Sequence, residues 1–180
     1  MDKPVELVPL VCLRCSTPVP AEVDQVAWVC ANCGQGLSLD EETGLQPLEV
    51  NYSARIPANT AGQPYWVAEG IVILQRETYG SSRKQAAEAQ QFWSMPRRFF
   101  IPAFHCPLEE LLTQGSHLIL QPPDLQPGPP ALFEPVTLYA EDAAAAAEFI
   151  VIAIEASRPD KVKEISFELQ LSTPALWILP

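Results

Sequence analysis

Basic residues are scarce in this chain: 11 lysines and arginines stand against 22 aspartates and glutamates, a formal net charge of −11 at pH 7. A chain this acidic has little with which to neutralise phosphates, and nucleic acid is disfavoured as its main partner. No glycine-rich phosphate loop and no paired-carboxylate motif occurs, so the common signatures of phosphoryl and glycosyl chemistry are missing. No apolar run reaches membrane-spanning length: the longest, from Ala143 to Ile154, is too short and contains Glu148. The first residues lack a basic stretch followed by an apolar one, so no signal peptide is expected and a soluble cytoplasmic protein is the default. No internal repeat is visible.

What is present is a 48% hydrophobic composition, enough for a real core, and 19 prolines, about twice the usual share. Many connections should therefore be stiff and many strands short or at sheet edges. The cysteines are the most informative residues. Cys12-Leu-Arg-Cys15 and Cys30-Ala-Asn-Cys33 place four thiolates in two pairs. A two-residue gap lets the backbone fold round so that both sulfurs of a pair reach one ion, and two such turns complete a tetrahedral shell. Disulfides would require an oxidising compartment. A thioredoxin-like pair would have to open a helix, whereas Gly34 and Gly36 follow the second pair at once.

The two knuckles, with Gly34 after the last cysteine, resemble a zinc ribbon over roughly the first quarter of the chain. The loop between Cys15 and Cys30 is about one residue shorter than usual for such pairs. The resemblance implies one structural Zn2+ per chain, held by Cys12, Cys15, Cys30 and Cys33. Four cysteine ligands leave no open position for water or substrate, so the metal is expected to fold the module and not to catalyse. Val11, Val19, Val23, Val26, Trp28 and Val29 look like the small strands that carry the knuckles.

Downstream, residues 65–77 include the apolar run Ile71, Val72, Ile73 and Leu74, which predicts a strand buried on both faces. Ser81 or Ser82 is expected to cap a helix through Trp93 that Pro96 ends. A strand with Phe99, Ile101 and Phe104 follows. Pro107 fits the first position of a helix over Leu108 to Gln114, with Gly115 as its stop and a strand over His117 to Leu120. The segment 122–135, with six prolines, reads as a stiff spacer. Glu141 and Asp142 precede an almost wholly apolar helix over Ala143 to Ala156, as expected of a helix packed on a sheet. Ile165, Phe167, Leu169 and Leu171 alternate with polar residues as in a half-buried antiparallel strand, and Ser172-Thr173-Pro174 should turn the chain into a last strand over Leu176 to Leu179.

These elements predict an α+β fold: an N-terminal zinc ribbon (1–47), a polar connection, and a mostly antiparallel sheet domain with one long packed helix (64–180). Charge is uneven along the chain. Residues 1–50 net −6, residues 51–105 net +3 and residues 106–180 net −8. The expected function is that of a zinc-binding adaptor or scaffold subunit that docks onto other proteins of a larger assembly. Two alternatives stand beside it. One is an enzyme centred on Cys106, a thiol beside a helix start with His105 and His117 as candidate bases. The other is a nucleic-acid accessory factor using residues 83–100, where Arg83, Lys84, Arg97 and Arg98 flank Phe92, Trp93, Phe99 and Phe100. The balance is against both, because a lone cysteine is usually a small buried hydrophobe and aromatics are usually core.

Overall fold

The computed structural model describes residues 9–79, 83–160 and 162–180. Their elements run β1 (Ala27–Val29), β2 (Gly36–Asp40), β3 (Gly44–Leu48), β4 (Val50–Tyr52), β5 (Gln63–Thr78), α1 (Arg83–Trp93), β6 (Arg97–Pro102), α2 (Leu108–Leu120), α3 (Ala143–Ala156), β7 (Val162–Leu171) and β8 (Ala175–Leu179). Strands β1, β2 and β3 form a small antiparallel sheet that carries the cysteine module. The larger sheet has the order β4-β8-β5-β6, with β7 also paired to β5. All its pairings are antiparallel except β4 with β8. The chain is thus α+β.

Strand β5 organises the larger sheet because it is long enough, at 16 residues, to serve several partners. Its first half alternates between two apolar layers. Trp66 faces the main core with Phe99, Ile101, Leu176, Ile178 and the inner side of α3, while Tyr65 and Val67 face a second cluster with Phe100, Phe104 and Leu179. Its second half is buried on one face only. Val72 and Leu74 point inward, but Ile71 and Ile73 are 48% and 53% exposed, so the expected two-sided burial stops where β6 ends opposite Gly70.

Strands β7 and β8 run in one line beside β5, and Ser172-Thr173-Pro174 does not turn the chain. Leu171 pairs with Gly70 and Ala175 with Val67, so three residues on one strand oppose two on the other. Ser172 sits in this bulge, donating its backbone N–H to Glu69 O at 2.9 Å and accepting from Glu69 N–H on Oγ at 3.0 Å.

Helix α2 also departs from expectation. Gly115 does not end it; the helix continues through His117 to Leu120, so no strand forms there. Gly115 is buried, and a Cβ on it would overlap the side chain of Ile150 in α3. The glycine is there for the close approach of two helices, not for a turn. Helix α3 packs inward through Ala147, Ile150, Val151 and Ile154, and leaves Phe149 and Ile152 about half exposed on its outer side. Helix α1 ends at Trp93 as expected, while Ser81 and Ser82, expected to cap it, lie outside the described residues.

The two sheets are joined. Val26 and Ala27 belong to the main core, and Val26 N–H donates to Val136 O at 2.8 Å. The expected polar connection supplies β4, and the proline-rich segment is not a free spacer. Ala54 donates to Gln126 O, Gly128 to Tyr52 O, Gly62 to Leu132 O and Glu134 to Gly62 O, all at 2.7–3.0 Å. Prolines lend this segment the stiffness of a strap, and its backbone carbonyls and remaining N–H groups tie it to residues 52–62.

Candidate metal centre

The two cysteine pairs lie in turns of one pattern. Cys12 N–H donates to Thr17 O at 2.9 Å and Ser16 N–H to Cys12 O at 2.9 Å; in the second turn Cys30 donates to Gln35 O and Gly34 to Cys30 O, both at 2.8 Å. The fourth residue after each leading cysteine takes the left-handed conformation, with φ 57° at Ser16 and 71° at Gly34. Glycine adopts it without strain, whereas serine bears a Cβ penalty there. Trp28, Leu37, Leu45 and Val19 form a small core beneath the two turns, together with Cys12 and Cys30.

This scaffold brings all four Sγ atoms within 4.8 Å of one another. Cys12 and Cys33 are 3.5 Å apart and Cys15 and Cys30 are 3.6 Å apart. Four thiolates at Zn–S distances of about 2.3 Å form a tetrahedron with edges of roughly 3.8 Å, so the cluster fits one such ion. None of the five cysteines is in a disulfide. The surroundings favour different protonation states across the cluster. The Thr17 hydroxyl, 3.2 Å from Cys15 Sγ, and the Asn32 amide hold the Cys15 thiol down at about 5. Cys33 receives a backbone N–H from Gln35 that favours its thiolate, yet burial and the other three sulfurs push it up to about 12. A cation that displaces these protons removes the conflict. Thr17, Asn32 and Gln35 carried no signal in the sequence, since single polar residues in turns are ordinary.

The fifth cysteine is placed differently. Cys106 is half-buried beside Tyr65, Phe104 and Trp177. Burial first, then the Glu110 and Glu134 carboxylates, push its thiol up, which is the opposite of activation. His105 and His117 are both exposed, and among the described residues no hydrogen bond joins either to Cys106.

The basic aromatic segment is likewise committed elsewhere. Trp93, Phe99 and Phe100 are buried, so their rings are not offered to bases. Arg97 donates to Phe92 O through Nε and Nη2 at 2.9 and 2.7 Å and stacks on the Phe92 ring, its Cζ 3.9 Å from the centroid. Arg98 pairs with Glu69 at 2.8 Å.

Compared with known protein families, curated proteins and solved structures, the chain matches none. No helix among the described residues is long and apolar enough to cross a membrane.

Proposed function

We propose that Cys12, Cys15, Cys30 and Cys33 hold one structural zinc ion in a zinc ribbon (1–47), set on an α+β domain (64–180), and that the protein is a docking subunit of a larger assembly. The observation that carries this is the closed set of four sulfurs: it leaves no ligand position for substrate, and it suits zinc over harder cations. Cysteines kept out of disulfides for a metal suit a reducing compartment, which favours the cytoplasm. The partner is a protein with a basic face. The β2–β3 turn bears Asp40, Glu41 and Glu42, and Glu141 beside α3 is pushed up by burial and then by Asp40, Glu41 and Asp142, so the acidic surfaces of the two parts adjoin. Complementary charge would speed encounter with such a face while apolar contacts hold it.

The test is retention of partners by tagged protein in a pull-down. Reversal of Asp24, Glu41 and Glu42 to lysine is expected to reduce retention, as is added salt. Asp40 is left alone because its carboxylate closes the turn, accepting from Glu42 N–H and from Thr43 N–H and Oγ1 at 2.6–3.0 Å. Unchanged retention by the triple variant would reject the acidic face as the docking surface.

A further inference from the structure

The larger sheet leaves one long edge open. On one side the strap backs β4, where Gly128 N–H donates to Tyr52 O at 2.7 Å. On the other, α2 lies along β6, so close that a Cβ on Gly115 would sit 3.4 Å from Phe100 O. Past Gly70, where β6 stops, Val72 and Leu74 of β5 are only 4% and 8% exposed, so their backbone is covered as well. Strand β7 differs. It pairs with β5 on one side and has no strand on the other among the described residues.

Alternation decides which of its backbone groups stand open. In an antiparallel strand, successive residues turn their N–H and C=O groups to opposite sides. Pro64 O accepts from Ala103 N–H on the β6 side of β5, whereas Glu69 O accepts from Ser172 N–H on the side of β7 and β8. Even-numbered residues of β5 therefore face β6, and odd-numbered ones face β7. Ile71, Ile73 and Gln75 bond to Gln170, Glu168 and Ser166, which turns the backbone groups of Ile165, Phe167 and Leu169 outward. These outward groups have no hydrogen-bond partner among the described residues. Their side chains are half-buried at the rim of the main core. Proteins blunt such edges with short strands, proline or bulges. Yet β7 is 10 residues long and holds none of the chain's 19 prolines, and its one irregularity lies at its start, opposite Glu77 and Thr78.

We propose that β7 pairs antiparallel with β7 of a second copy, about a two-fold axis at Phe167, and joins the two larger sheets into one. A second copy is selected because the strand is complementary to itself. Two-fold pairing must set outward backbone groups against outward backbone groups, so the axis falls on an odd-numbered residue. Phe167 gives the longest overlap of the odd-numbered choices. Phe167 then faces its own counterpart, and Ile165 faces Leu169 of the second copy, so each apolar row continues across the axis. On the other face Glu164 meets Gln170, and Ser166 meets Glu168. No like charges stand opposite each other, although residues 106–180 net −8. The surface is separate from the cysteines and from the acidic β2–β3 turn, so this proposal and the docking reading stand or fall apart.

The experiment uses the full-length protein purified under reducing conditions. Sedimentation velocity at rising concentration is expected to show a passage from one chain to two. Ser166→Glu alters only an exposed side chain, and by symmetry it opposes two pairs of carboxylates at once. It should raise the dimer Kd about tenfold. Adding Glu168→Lys makes both pairs opposite in charge and should restore the affinity. Hydrogen exchange read by mass spectrometry on the fragment 162–171 should slow as the dimer forms, and should stay fast in Ser166→Glu at the same concentration. A single chain at every concentration up to about 0.5 mM overturns the proposal. So does a dimer indifferent to Ser166→Glu, a loss that Glu168→Lys does not repair, or unchanged exchange in 162–171 on dimerisation.

Discussion

Arg76 and Glu155 face each other in the interior, with Arg76 Nε 2.9 Å from Glu155 Oε2 and side chains 2% and 0% exposed. The two atoms are close enough to pair but are not aligned as a hydrogen bond. Around them Trp93 Nε1 and Arg158 Nε donate to Glu155 Oε1 at 2.7 and 2.8 Å, and Arg76 donates through both Nη atoms to Asp160. The network ties β5, α1 and the end of α3 together. Removing one member strands a buried charge, so Arg76→Met is expected to cost about 3–5 kcal/mol in urea unfolding. A loss well below that would mean that water reaches Glu155 readily. Arg76 also holds the Asp160 carboxyl below its ordinary value of 3.8. A depressed carboxyl contributes stability that is fully present above its unfolded value and lost as pH falls through the folded one. Unfolding curves at several pH values should therefore show that Asp160→Asn lowers stability at neutral pH and shrinks the acid-dependent loss below pH 3.8.

Gly115→Ala offers a test with an unusual sign. In an exposed helix interior the change stabilises by about 1 kcal/mol. Here the new methyl meets Ile150, and overpacking of that kind costs about 1–3 kcal/mol. Net destabilisation is expected, and a more stable variant would show that the α2–α3 contact yields easily.

The metal centre predicts one zinc per chain in protein purified under reducing conditions. Serine at any one of Cys12, Cys15, Cys30 or Cys33 should lower metal content and loosen the small sheet, because a neutral hydroxyl is a poor replacement for a thiolate. Mass spectrometry that finds no zinc in the unaltered protein would end the zinc reading. Ser16→Gly, by contrast, should raise Tm slightly by relieving the left-handed strain at φ 57° while leaving metal content unchanged.

A chain beginning at Asn51 retains β5 to β8 and all of β4 except Val50, and should unfold in one cooperative transition. Its Tm should be lower than that of the whole chain, since it loses Val26 and Ala27 from the main core and uncovers Val136. Absence of a cooperative transition would show that the cysteine module is required for the larger core to form.

The legible parts of the molecule were those whose cause is local. Two Cys-x-x-Cys pairs state their own geometry, and their sulfurs do cluster. The alternation from Ile165 to Leu171 and the long apolar stretch from Ala143 to Ala156 coincide with β7 and α3 because the local pattern alone defines them. The misreadings share a different origin. Gly115 looked like a helix stop because glycine usually is one, and only Ile150, far away in sequence, explains why the helix continues. Ser172-Thr173-Pro174 has turn chemistry, yet the pairing of its neighbours with β5 makes it a bulge. The ion network joins Arg76, Trp93, Glu155, Arg158 and Asp160 across 84 positions. It leaves no trace in any short window.

Strand β8 occupies an interior place in the larger sheet, between β4 and β5, although it is the last strand in sequence. Val50 must wait for Leu176 and Gln63 for Leu179, so the sheet cannot close until more than a hundred further residues have left the ribosome. Such distant pairing carries the full entropy of loop closure before any of it is rewarded, and it slows folding. During synthesis the edges of β4 and β5 stay open for that interval, and a nascent chain stalled before Ala175 would present unpaired strands to its neighbours.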